Sequence, residues 1–251
     1  MRQLQMILDA NSLLPGEAAS IAGKLAFAAS ALFGRVGRAM LVPLYQKGAC
    51  KSVFCGAGAF APLGIDLIDA IQWWIHVLSN NIESFEKVLT VDSVPSTRWH
   101  LLYTDASQSA IGGVLLEVDG ASICSSRYFS VPVPEHLLNL PIHVYEMWAV
   151  LCALWIWIIP EQLRTVRMYV DNTGVLGSMI KGHSKCPDLL YDVHRFWLTL
   201  VEQRLPAWMD YVQSKSNIAD FPSRSLPPFV NPRLGLVHHV RDDVPVDCLP
   251  W

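Results

Sequence analysis

Four acids spread over the second half of this 251-residue sequence stand where metal-assisted chemistry would need them. Asp105 ends the apolar run Leu101-Leu-Tyr-Thr and precedes a turn cluster, Ala106-Ser-Gln-Ser, after which a strand pattern resumes at Ile111. Asp171 likewise closes a short β-branched and aromatic run, VRMYV. Glu146 opens an apolar helical stretch, and Asp220 lies in SNIADFPSR. Carboxylates gathered without a basic partner repel one another, so such a cluster is tolerable only when protonated or when cations sit among it. Oxygen-only donors suit Mg²⁺ or Mn²⁺ rather than zinc. Two such ions roughly 3.5 to 4 Å apart can activate a water and stabilise the leaving oxygen of a phosphodiester. The chemistry implied is metal-dependent hydrolysis of nucleic acid. Taken singly, each acid has a plain structural reading as well: a turn cap for Asp105, a helix N-cap for Asp171, a helix-terminus complement for Glu146, a solvated side chain for Asp220.

The elements that must position these acids follow from the pattern. Strands are expected at 99 to 105, 110 to 118 and 121 to 129, the last two joined at Asp119-Gly120. An apolar helix covers 143 to 159, a strand 166 to 170, helices 173 to 180 and 187 to 203, and a strand 207 to 213, with NIADFPSR opening a last short helix. The order βββ-α-β-α-β-α describes an α/β mixed sheet whose first strand is central, antiparallel to a hairpin on one side and parallel to later strands on the other. Asp105 and Asp171 then end adjacent strands about 4.8 Å apart, at the carboxyl edge where ligands bind in open α/β sheets.

Upstream, residues 18 to 45 read as one helix. At 100° per residue Lys24, Arg35 and Arg38 share a narrow sector with Ala28 and Ala31, a small positive face able to approach a phosphate backbone. The Gly-rich loop of Gly48, Gly56, Gly58 and Gly64 lacks phosphate-loop spacing and reads as a connector. A helix with Trp73-Trp74 follows, and 80 to 97 make the best domain boundary. No regular period is evident in the tail from Pro227.

Composition bounds the alternatives. At 52% hydrophobic residues a sizeable core is available, and a formal charge of −3 gives no global nucleic-acid signal. The longest apolar run, 147 to 159, falls short of the roughly 20 residues of a membrane span, and no secretory leader pattern opens the sequence. The expectation is a cytoplasmic or nuclear protein, neither secreted nor in a membrane. The 6 cysteines show no C-x-x-C pair and no His at zinc-ligand spacing, so reduced core thiols and no zinc site are expected.

The segments YTDAS with GGVL, HVYEMWAVLCAL, MYVDNTGV and SNIADFPSR resemble, in order, the four acidic motifs of the ribonuclease H domain of retroelement reverse transcriptases, nearest to DIRS-type retrotransposons. The resemblance covers about 97 to 225. It implies a ribonuclease H-like five-stranded mixed sheet, order 3-2-1-4-5, flanked by helices, with a helical thumb or connection region over 1 to 96 and a tail over 226 to 251. It further implies Asp105, Glu146, Asp171 and Asp220 as catalytic ligands of two Mg²⁺ ions, with Mn²⁺ able to substitute, and an RNA–DNA hybrid as substrate. Ser107 and Asn172, each beside an acid, are candidate readers of the 2′-hydroxyl, and Lys24, Arg35 and Arg38 candidate phosphate contacts, with Lys181, His183 and Lys185 a weaker second group. Two departures stand out: the loop 211 to 217 lacks the His that many relatives carry there, and no Y-x-D-D polymerase pair occurs. The resemblance therefore implies the C-terminal part of a longer polyprotein, or a fragmentary gene copy, working beside a polymerase part. The alternative is a silent scaffold of the same fold that tethers nucleic acid or polymerase subunits.

Overall fold

A computed structural model describes residues 1–32, 34–50, 62–80, 98–161, 163, 166–206, 208–226 and 240–250. Its centre is one mixed sheet built from β1 (Arg98–Ala106), β2 (Ala110–Asp119), β3 (Ser122–Pro132), β4 (Val166–Val170), β5 (Trp208–Tyr211) and β6 (Val240–Arg241), in the order β5-β4-β1-β2-β3-β6. β1, β2 and β3 form an antiparallel meander, while β4 runs parallel to β1 and β5 parallel to β4. This is the ribonuclease H-like order 3-2-1-4-5, with one addition. The stretch beyond Pro227, without a readable period, supplies β6, which pairs parallel with β3. Asp242 just after it accepts hydrogen bonds from Arg127 and Trp157, so this part of the tail is tied to the sheet.

α5 (Ile142–Ala153) is apolar almost all round because it is covered on both sides, by β1 and β2 and by α7 (Pro187–Glu202). It continues as a π-helical turn, Leu154–Ile158, before Pro160. α6 (Thr173–Lys181) follows β4 directly. The anticipated helix at NIADFPSR is instead two 3-10 turns, Ile218–Asp220 and Pro222–Arg224. Those turns lie across β2 at Gly112, where a Cβ would fall 2.4 Å from the Ser223 nitrogen. Only glycine permits this approach, and the approach brings Asp220 to the end of β1.

The upstream region is helical: α1 (Arg2–Ala10), α2 (Pro15–Ala31), α3 (Val42–Ala49) and α4 (Ile65–Ser79). The single helix anticipated over 18 to 45 does not form. Gly34 and Gly37 take positive φ, 62° and 82°, which an α-helix cannot contain, and the chain turns so that Gly34 sits against the Trp197 ring. α1 to α4 bury their own cluster, including Ile21, Leu44, Ile71 and Trp74, and Leu190 of α7 joins it. Trp73 meets His194 of α7 edge-on at 5.0 Å. The expected boundary at 80 to 97 lies largely outside the described residues, as do Gly56, Gly58 and Cys55. Of the cysteines described, Cys152 alone is buried; Cys50 and Cys124 are exposed and Cys186 and Cys248 half-buried, so the core-thiol expectation holds for one position.

Candidate active site

The parallel register pairs Tyr103 with Tyr169. Carried two residues further, it sets Asp105 at the end of β1 beside Asp171 just past β4. Glu146, one turn into α5, couples to this edge, and Asp220 reaches it from the 3-10 turn just before the one packed on Gly112. Asp105 and Glu146 are each only 8% exposed. Among the described residues neither forms an ion pair within 4 Å, although the Arg224 charge acts on Asp105 from a longer range.

Electrostatics bear the crowding out. Burial raises the Asp105 carboxyl to about 6, aided by Asp171 and Asp220 and opposed by the hydrogen bond from Ser223. Burial raises Glu146 to about 7, aided by Asp171 and Asp105 and opposed by the Asn172 amide. These couplings place Asp105 within electrostatic reach of Asp171, Asp220 and Glu146. Two buried oxygens here, Glu146 Oε2 and Asp171 Oδ1, have no hydrogen-bond partner among the described residues. A buried acceptor left unpaired costs about 1 to 3 kcal/mol, more when charged. Hard oxygen donors, unpaired and mutually repelling, fit a Mg²⁺-class cation, which would satisfy both atoms and cancel the repulsion.

The other two acids are held by protein groups that the sequence reading did not single out. Ser223 Oγ donates to Asp105 Oδ2 at 2.6 Å and to the Asp220 carbonyl at 3.0 Å. Arg224 reaches Asp220 Oδ1 through Nε at 3.0 Å and Nη2 at 2.8 Å. Both residues lie in the motif SNIADFPSR, but the sequence carries no sign of which way they turn. Among the described residues the carboxylates do not form a set of three donor atoms all within 4.8 Å, so the cluster is a loose cup.

Ser107 is engaged as a turn lock, its hydroxyl accepting from the Ser109 and Ala110 amides and donating to the Ser223 carbonyl at 2.7 Å. Asn172 caps α6 through Oδ1, accepting from Gly174 and Val175, and donates Nδ2 to Glu146 Oε1 at 3.2 Å. It also lines a cavity of about 370 Å³ with Lys181, His183 and Lys185. The three upstream cations do not share a face. Lys24 borders a cleft beside Met1 and Leu78, whereas Arg38 donates to the Lys181 carbonyl and Arg35 packs on Gly182. The turn at Gly34 and Gly37 separates them. Arg35 and Arg38 thus join the Lys181–Lys185 loop, and the charges of Arg38, Lys181 and Lys185 add to burial in lowering the His183 pKa. No helix among the described residues is long and apolar enough to cross a membrane.

No protein-family model matches the sequence, and no curated protein matches it. Among solved structures, ribonuclease H1 of the halophilic archaeon Halobacterium salinarum NRC-1 is 16% identical with a TM-score of 0.38, over 49% of this chain and 89% of that one. LC11-RNase H1, isolated from compost by a metagenomic approach, is 14% identical with a TM-score of 0.38, over 51% and 93%. The prototype foamy virus protease-reverse transcriptase is 10% identical with a TM-score of 0.31, over 69% of this chain and 21% of that one. These likenesses are faint, and the chemistry of the site rests on the carboxylates and their surroundings.

Proposed function

We propose that this chain is a divalent-metal-dependent nuclease of the ribonuclease H type, hydrolysing the RNA strand of an RNA–DNA hybrid. In this reading it belongs to a retroelement reverse transcriptase, nearest to the DIRS type, with 1–96 as a connection-like region, 97–225 as the nuclease and 226–251 as a tail. The observation that carries the reading is the pair of unpaired buried oxygens, Glu146 Oε2 and Asp171 Oδ1, set beside Asp105 at the carboxyl edge of two parallel strands. Asp105, Glu146, Asp171 and Asp220 would hold the metal. Two Mg²⁺ ions bound there would supply an activated water and neutralise the charge on the leaving oxygen.

The chain's own groups do the rest. Asn172 fixes Glu146 by holding Oε1, which leaves Oε2 directed away from the amide. Ser223 fixes Asp105 by Oδ2, and Ser107 fixes Ser223 by its carbonyl. Lys181 and Lys185 flank the cavity that Asn172 lines and would neutralise phosphates of the hybrid. Of the two candidate readers of the 2′-hydroxyl, Asn172 borders that cavity, whereas the Ser107 hydroxyl is committed to the Ser223 carbonyl.

The test is hydrolysis of a labelled hybrid by the full chain. Mg²⁺ should support loss of the RNA strand, and Asp105→Asn or Asp171→Asn should abolish it. A hybrid left intact at high protein concentration with both Mg²⁺ and Mn²⁺ would refute the proposal. A silent scaffold is the second reading, favoured by the Arg224 pairing of Asp220, which occupies one of the four acids with a protein cation. Calorimetry with Mn²⁺ separates the two: the nuclease binds two ions per chain, the scaffold none at these acids.

A further inference from the structure

Apart from the acidic cup, a second group of donors meets where α5 and α7 begin, two of them, His143 and Cys186, lining the Asn172 cavity. His143 lies in the first turn of α5, Cys186 caps α7, and Asp188 lies in the first turn of α7. The Cys186 sulfur is 3.3 Å from His143 Nε2 and 3.7 Å from Asp188 Oδ2. All three donor atoms lie within 4.8 Å of one another, the only such group among the described residues. Bonds of about 2.3 Å to sulfur and about 2.0 to 2.2 Å to nitrogen or oxygen, at tetrahedral angles, put the ligand atoms roughly 3.5 to 3.6 Å apart. The observed separations straddle that value. A thiolate, an imidazole and a carboxylate are also the donor types zinc takes, unlike the all-oxygen cup. Sequence spacing conceals the group, because His143 stands 43 positions before Cys186.

We propose that His143, Cys186 and Asp188 bind one zinc-class ion, with the fourth coordination position open to the cavity. The cavity also presents Ser184, Lys181 and Lys185, so water or an anionic oxygen can complete the shell. This assignment is independent of the nuclease reading and would stand if that reading failed. It also revises the expectation that the cysteines form no zinc site.

The experiment is metal titration of the full chain in chelator-free buffer, following Zn²⁺ by calorimetry and Co²⁺ by absorbance. The expected result is a tightest step of one Zn²⁺ per chain, ahead of any ions taken by the carboxylates, and a sulfur-to-cobalt charge-transfer band, which carboxylates cannot give. Cys186→Ser should abolish the band and weaken Zn²⁺ binding by at least about 100-fold, beyond the 10- to 100-fold attached to loss of an outer partner. Asp188→Asn, at an exposed position, should weaken Zn²⁺ binding while leaving the fold, read by circular dichroism, unchanged. Asp105→Asn should leave the cobalt band as in the parent. Co²⁺ binding without the band, or a tightest Zn²⁺ step that keeps its affinity in both Cys186→Ser and Asp188→Asn, would overturn the proposal and leave an ordinary hydrogen-bonded cluster.

Discussion

Replacing Glu146 by Gln should stabilise the metal-free protein at alkaline pH while weakening its response to metal. Glu146 is raised from 4.5 to about 7 in the folded chain, a difference of about 2.5 units. At 1.36 kcal/mol per unit this is about 3 kcal/mol of folding free energy. The sign follows from the direction. A carboxyl whose folded pKa is raised favours folding fully below about pH 4.5, and that contribution is lost as pH rises through about 7. Above pH 7 the folded protein therefore carries a buried charge that Gln would not. The amide also keeps the acceptor that Asn172 uses, so the local hydrogen bond survives. Urea unfolding in chelator at pH 5 and pH 8 measures the effect as a difference between variant and parent. That comparison is needed because His194, buried and lowered to about 4, works in the opposite sense: its contribution is present above about 6.5 and lost as pH falls through about 4. Both proteins share that contribution. A gain for Glu146→Gln at pH 8 of up to about 3 kcal/mol, shrinking toward pH 5, is expected. Added Mn²⁺ should then stabilise the parent more than the variant. No gain at pH 8, or equal stabilisation of both by Mn²⁺, would refute the argument that Glu146 is a strained metal ligand.

Other outcomes follow from the same contacts. Gly112→Ala would drive a methyl into the Ser223 backbone; a loss of about 1 to 3 kcal/mol in urea unfolding is expected, with Mn²⁺ affinity falling as Asp220 is displaced. Arg224→Ala frees Asp220, so calorimetry should show tighter Mn²⁺ binding with the thermal midpoint scarcely moved. Neutralising Lys181 and Lys185 together should lower the salt slope of hybrid affinity by up to about 2 units, while Lys24→Ala, on a different cleft, should leave it unchanged.

The sheet was readable because its strands are bounded by turn residues and alternate where one face is covered. β1, β2 and β4 start and stop within a residue or so of their patterns. The positions of Asp105 and Asp171 at the sheet edge were readable for a related reason: a carboxylate ending an apolar run lies at the rim of a sheet, whichever way the chain then turns. The long helix over 18 to 45 misled because alanine-rich composition conceals two glycines that turn with positive φ and lie against Trp197 and against Trp73 and Trp74, contacts from far along the chain or across the bundle. β6 is two residues long and owes its place to Arg127 and Trp157 gripping Asp242. A pairing that short has no period to detect. The His143, Cys186 and Asp188 group escaped notice because two helix N-termini must meet in space before its spacing exists.

The four acids are unequal, and their inequality bears on how metal would load. Glu146 and Asp171 each keep a buried oxygen without a partner, so a cation arriving between them displaces no protein contact. Asp105 and Asp220 are engaged by Ser223 and Arg224, so a cation on their side must compete with a hydroxyl and with a guanidinium already in place. Mn²⁺ isotherms of the parent should accordingly resolve into a tighter and a weaker step. Arg224→Ala should draw the two together by strengthening the weaker one, whereas Glu146→Gln should weaken the tighter one. Two identical steps in the parent, unmoved by either change, would mean that Ser223 and Arg224 only decorate the turn and do not govern access to the acids.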